Sequence, residues 1–68
     1  MENTSIIAHM AMGDLYKTNH KVPKDLVLNA LNDDANEFTK AINIMKSIAN
    51  RRGMILNVGT KNFTVKWT

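Results

Sequence analysis

The sequence predicts one α+β domain: three helices followed by a two-stranded β-hairpin. Three observations predict it. Apolar residues follow a 3.6-residue period across Ala35–Arg52. The period then switches to two over Met54–Thr68. The single proline and the glycines stand as punctuation where these segments change.

The first helix is expected over Ser5–Lys17, with Thr4 as its N-cap. Ile7, Met10, Ala11 and Leu15 recur at helical spacing, with Ile6 and Tyr16 beside them. Gly13 is the weak point, costing about 1 kcal/mol against Ala. Thr18-Asn19-His20 reads as the end of this helix. Lys21-Val22 is then a short extended piece, because a residue before proline is pushed toward β geometry.

Pro23 opens the second helix, where its missing N–H is not needed. Leu26, Val27, Ala30 and Leu31 form one apolar stripe across Lys24–Leu31. Asn32-Asp33-Asp34 ends that helix and caps the next. Asp34 with Glu37 three residues on has the spacing of a capping box. In the third helix Phe38, Ala41, Ile42, Met45, Ile48 and Ala49 form the apolar face. Gly53 stops it, and Arg51 and Arg52 suit the negative end of its dipole. In the hairpin, Met54, Leu56 and Val58 alternate, as do Phe63, Val65 and Trp67. Gly59-Thr60-Lys61-Asn62 is the turn. Trp67 is expected inward, as a core plug, or else as an interface anchor.

The chain has 68 residues, enough for a single domain over 1–68. A chain this short buries only about 60% of its unfolded surface. It contains no cysteine, so neither a disulfide framework nor a thiolate metal site is available. No apolar run approaches the roughly 20 residues of a membrane span, and the N-terminus lacks signal-peptide features. A cytoplasmic protein without membrane contact is the expectation. His9 and His20 are far apart, and a zinc site needs three or four ligands. No Gly-rich phosphate loop and no nucleophile constellation is present. The sequence therefore predicts no enzyme, no cofactor and no metal.

Charge is unevenly distributed. Net charge is +3, but residues 1–37 carry −3 and residues 38–68 carry +6 with no acid at all. Such a split implies a basic face and an anionic partner.

The order of elements resembles the winged helix-turn-helix family. The resemblance rests on Ile48-Ala49-Asn50-Arg51-Arg52-Gly53-Met54-Ile55, where a third helix runs through Gly into the wing. It rests also on the closing strand Asn62-Phe63-Thr64-Val65-Lys66-Trp67. Lys21-Val22 sits where that family has a first short strand pairing with the wing. The resemblance implies DNA binding, with the third helix in the major groove and the hairpin on the backbone or minor groove.

The residues test this independently. Opposite the apolar face of the third helix lie Asn36, Thr39, Lys40, Asn43, Ser47 and Asn50, with Arg51 at the edge. Asn reads adenine bidentately, Thr reaches a base or a thymine methyl, and Lys reaches guanine or phosphate. Asn36, Thr39, Lys40 and Asn43 are the expected base readers. Lys40, Lys46, Arg51, Lys61 and Lys66 are the expected electrostatic capture set. Five neutralised phosphates imply a log–log salt slope of about −4 to −5. Lys21 and Lys24 are expected at phosphate near the second helix start. Against this reading, Asp33, Asp34 and Glu37 cluster where a phosphate would sit.

The leading expectation is a small transcriptional or replication regulator that binds double-stranded DNA. A homodimer through Ile6, Met10 and Leu15 is a further expectation, since Met10 and Met12 cannot both face one core. The alternative is a winged-helix protein-interaction module. It would inhibit or recruit a larger complex such as a polymerase, in the manner of a phage or plasmid protein. A plain three-helix bundle with an irregular tail is the third reading.

Overall fold

The computed structural model describes residues 3–17 and 21–67. The expected end of the first helix, Thr18-Asn19-His20, lies outside the described residues. Three helices and three strands follow in the order α1 (Asn3–Lys17), β1 (Lys21–Pro23), α2 (Lys24–Ala30), α3 (Ala35–Arg51), β2 (Met54–Val58) and β3 (Asn62–Trp67). The strands form one antiparallel sheet in the order β1-β3-β2. The hairpin β2–β3 is joined by β1, so the extended Lys21-Val22 pairs with it as expected, and β3 lies in the middle of a three-stranded sheet. The tail is strand, so the plain helix bundle is excluded.

α3 has well-defined ends. Asp34 caps its start by accepting from the backbone N–H groups of Asn36 (2.9 Å) and Glu37 (3.2 Å). Asn32 and Asp33 precede it with φ of 58°, a left-handed geometry that Asn and Asp tolerate. Four residues, Leu31–Asp34, therefore join α2 to α3. Gly53 follows the helix with φ of 71°, where a Cβ would be strained. Glu37 does not complete a capping box: the Asp34 N–H donates to Leu31 instead, and the Glu37 side chain turns to α1.

The core lies between the helices and one face of the sheet. Ala41, Met45 and Ala49 of α3 are buried, with Phe38, Ile42, Ile44 and Ile48 packed around them. Phe63 is fully buried at the centre of the sheet, opposite Val22 on β1 and Val58 on β2. Its ring meets Phe38 at 5.9 Å, tilted by 46°, which fastens α3 to the sheet.

α1 is rotated from the sequence expectation. Thr4, Ala8, Ala11, Met12 and Leu15 are buried, an i, i+4, i+7, i+8, i+11 stripe. Met12 is 1% exposed and Met10 66% exposed, so Met10 lies off the buried stripe on which its spacing put it. Small Ala8 and Ala11 on the stripe leave room for close packing by a neighbouring element. Thr4 is not an N-cap, because the helix already runs through it. Of the expected four-residue stripe, Val27 on α2 and Leu31 at its C-cap are buried, while Leu26 is 58% exposed and Ala30 is exposed, so the stripe is half correct.

Trp67 is also corrected. Its alternation with Phe63 and Val65 holds, and it pairs with Met54. Yet it is 72% exposed, because no described helix covers that end of β3. It flanks a hollow with Tyr16, Arg52 and Met54.

Candidate nucleic-acid interface

The outer flank of α3 is open. Asn36, Thr39, Lys40, Asn43, Lys46, Ser47, Asn50 and Arg51 are all exposed, opposite buried Ala41, Met45 and Ala49. From Thr39 to Arg51 this flank carries amides, hydroxyls and cations and no acid. Arg52 is directed elsewhere. Its guanidinium lies 4.8 Å from the centre of the Tyr16 ring, a cation–π contact.

The two ends of the flank differ. At its N-terminal end Asp34 occupies the N–H groups of Asn36 and Glu37, so no anion can use those two. The Thr39 hydroxyl donates to the Ala35 carbonyl at 3.1 Å. Lys40 pairs with Glu37 at 3.0 Å. Glu37 also accepts from Thr4, so its carboxylate faces α1 and Lys40 together. These contacts hold the Glu37 carboxyl below its ordinary value, through the Thr4 hydroxyl first and Lys40 second. Two of the three acids that crowd the helix start are thereby engaged within the chain. Asn43, Lys46, Ser47, Asn50 and Arg51 form the part of the flank clear of them.

Lys24 has a different partner from the one expected. Its Nζ donates to the Gly59 carbonyl at 3.1 Å, and its backbone N–H donates to the Lys61 carbonyl at 2.9 Å. Lys24 therefore clamps the β2–β3 turn to the start of α2, and the N–H expected to help hold a phosphate is taken. Gly59 closes the same turn by donating to the Asn62 carbonyl at 2.9 Å. Lys61, in that turn, and Lys21, on β1, are exposed. The structure thus brings Lys21, Lys24 and Lys61 to one end of the sheet. This grouping depends on the register of β1 against β3, which puts Lys21 opposite Thr64 and which sequence spacing does not encode.

Leu15, expected on a homodimer surface, is instead fully buried in the core of its own chain. Ile6 and Met10 remain exposed, and Met10 shares a hollow with Leu26 between α1 and α2. His9 is exposed and its Nδ1 donates to the Ser5 carbonyl at 2.7 Å. Among the described residues, no group of three or more His, Cys, Asp or Glu is placed to hold a metal. No described helix is long and apolar enough to cross a membrane. No family model, curated protein or solved structure matches this chain.

Proposed function

We propose that this domain is a winged helix-turn-helix that binds duplex DNA as a small transcriptional or replication regulator. One observation carries the reading: the exposed, acid-free flank of α3, with Asn43, Ser47 and Asn50 between Lys46 and Arg51. Lys46 and Arg51 attract phosphates, and the amides between them match the donor and acceptor edges of bases in the major groove. The four-residue link from α2 to α3 supports a helix-turn-helix, and the clamped turn bearing Lys61 supports reading the hairpin as its wing.

A gel-shift titration with random duplex at low salt tests this. The native chain is expected to shift the duplex. A Lys46→Glu/Arg51→Glu variant is expected to bind more weakly, with its salt slope reduced by about two. Asn43→Ala/Asn50→Ala is expected to keep non-specific binding and lose preference among sequences selected from a random pool. A native chain that leaves duplex unshifted overturns the reading.

A second reading is a protein-interaction module. The exposed apolar pair Met10 and Leu26, on either side of the α1–α2 hollow, favours it. The homodimer expectation reduces to this same surface. Sedimentation at rising concentration, native against Leu26→Lys, tests self-association there.

A further inference from the structure

We propose that the hollow bounded by Tyr16, Arg52, Met54 and Trp67 binds a nucleotide, through one unpaired base and its phosphate. Three parts of the fold meet there. Tyr16 stands near the C-terminal end of α1, Arg52 caps α3, and Met54 pairs with Trp67 across β2 and β3. Trp67 has the parity of Phe63, so its side chain leaves the sheet on the core side. Phe63 is fully buried on that side and Trp67 is exposed. The hollow therefore continues the core beyond the reach of the described helices. Its volume, about 460 Å³, falls within the range of small-molecule sites, roughly 300–1,000 Å³.

The lining selects the ligand. The exposed indole of Trp67 offers a flat apolar face on which a planar ring stacks, and Met54 beside it adds a polarizable thioether. Arg52 supplies the charge. Its guanidinium lies 4.8 Å from the centre of the Tyr16 ring, which holds the planar fork in place while the side chain stays exposed. No described carboxylate pairs with Arg52, so its N–H groups are open to the oxygens of a phosphate. The Tyr16 hydroxyl is buried without a hydrogen-bond partner, so this wall of the hollow has an unmet polar demand. Lys17 follows Tyr16, Arg51 precedes Arg52 and Lys66 precedes Trp67. A doubly charged phosphate suits that field better than a single carboxylate does, which favours a nucleotide over an aromatic acid. Inside a duplex the base faces are already stacked. The ligand is therefore a free nucleotide or an unpaired one within a strand.

This inference stands apart from the α3 reading. Trp67 is the only tryptophan of the chain, so its emission reports the hollow directly. The test titrates the native chain at low salt with adenosine monophosphate, with adenosine, and with a short single strand of deoxyadenylate. Quenching by the monophosphate or by the strand is expected. Quenching by the monophosphate assigns the site to free nucleotide, and quenching by the strand alone assigns it to unpaired nucleotides of a nucleic acid. Adenosine is expected to bind about tenfold more weakly or worse, for want of the phosphate. Arg52→Gln is expected to weaken the phosphorylated probe by a similar factor. Trp67→Ala, at an exposed position and with a native-like thermal melt, is expected to lose binding in a calorimetric titration. Emission unchanged by either phosphorylated probe overturns the site, as does equal affinity for adenosine and its monophosphate. A blunt duplex that quenches as strongly as the single strand also overturns it. A chain that shifts duplex in a gel yet fails these titrations loses the hollow and keeps the α3 reading.

Discussion

Thr4 Oγ1 donates a 2.6 Å hydrogen bond to Glu37 Oε1, tying the first turn of α1 to the first turn of α3. The partners are 33 residues apart in sequence. Thr4 is a buried polar residue, and Glu37 satisfies it. The bond also draws the Glu37 carboxylate toward α1, at the edge of the proposed interface.

This contact predicts an acid-sensitive component of stability. The Glu37 carboxyl lies below its ordinary value of 4.5 in the folded chain, because the Thr4 hydroxyl and then Lys40 favour its charged form. The contribution is complete above that ordinary value. It is lost as pH falls through the lowered folded value. Thr4→Val is therefore expected to melt below the native chain at about pH 6, with the gap narrowing by about pH 3. A gap that stays constant over that range, read by circular dichroism, would count against the contact.

The rotation of α1 predicts opposite outcomes for two neighbouring methionines. Met12→Ala is expected to cost about 2–5 kcal/mol, as a buried side chain lost from the core. Met10→Ala is expected to change stability by no more than about 0.5 kcal/mol. Urea melts of the two variants decide it. Equal costs would mean that α1 presents a different face to α3.

Two glycines predict opposite signs. A Cβ at Gly13 would meet no atom within 4 Å, so Gly13→Ala is a favourable helix substitution. It is expected to raise stability by about 0.5–1 kcal/mol. Gly53 has φ of 71°, so Gly53→Ala is strained despite open space around it. It is expected to lower stability by about 1 kcal/mol. Thermal melts of the two variants should shift in opposite directions.

The contrast between elements shows what was readable from residue order. α3 was legible from end to end: its period is clean, Asp34 and Gly53 bound it, and one flank is wholly polar. α1 was not, because Ile6, Ile7, Met10 and Met12 surround it with apolar residues and hide the phase. The residues that fix the phase are Thr4 and the two small alanines, which carry little hydrophobic signal. Trp67 shows a second limit. Strand parity is legible, but which end of a strand the helices cover is set by packing. The α3 flank followed from periodicity alone. The Lys24 clamp and the grouping of Lys21, Lys24 and Lys61 depend on β1 joining β3, a pairing between segments about 40 residues apart whose register local sequence does not encode.

α3 and the turn after β2 are proposed to hold a polyanion. Lys40 already has a carboxylate partner, which leaves Lys46, Arg51, Lys61 and Lys66 as the main capture set. The most direct test is the affinity for random duplex measured across a salt series. A slope of log affinity on log salt of about −3.5 is predicted, from four phosphates neutralised. Affinity independent of salt, or no binding at the lowest salt, would contradict it.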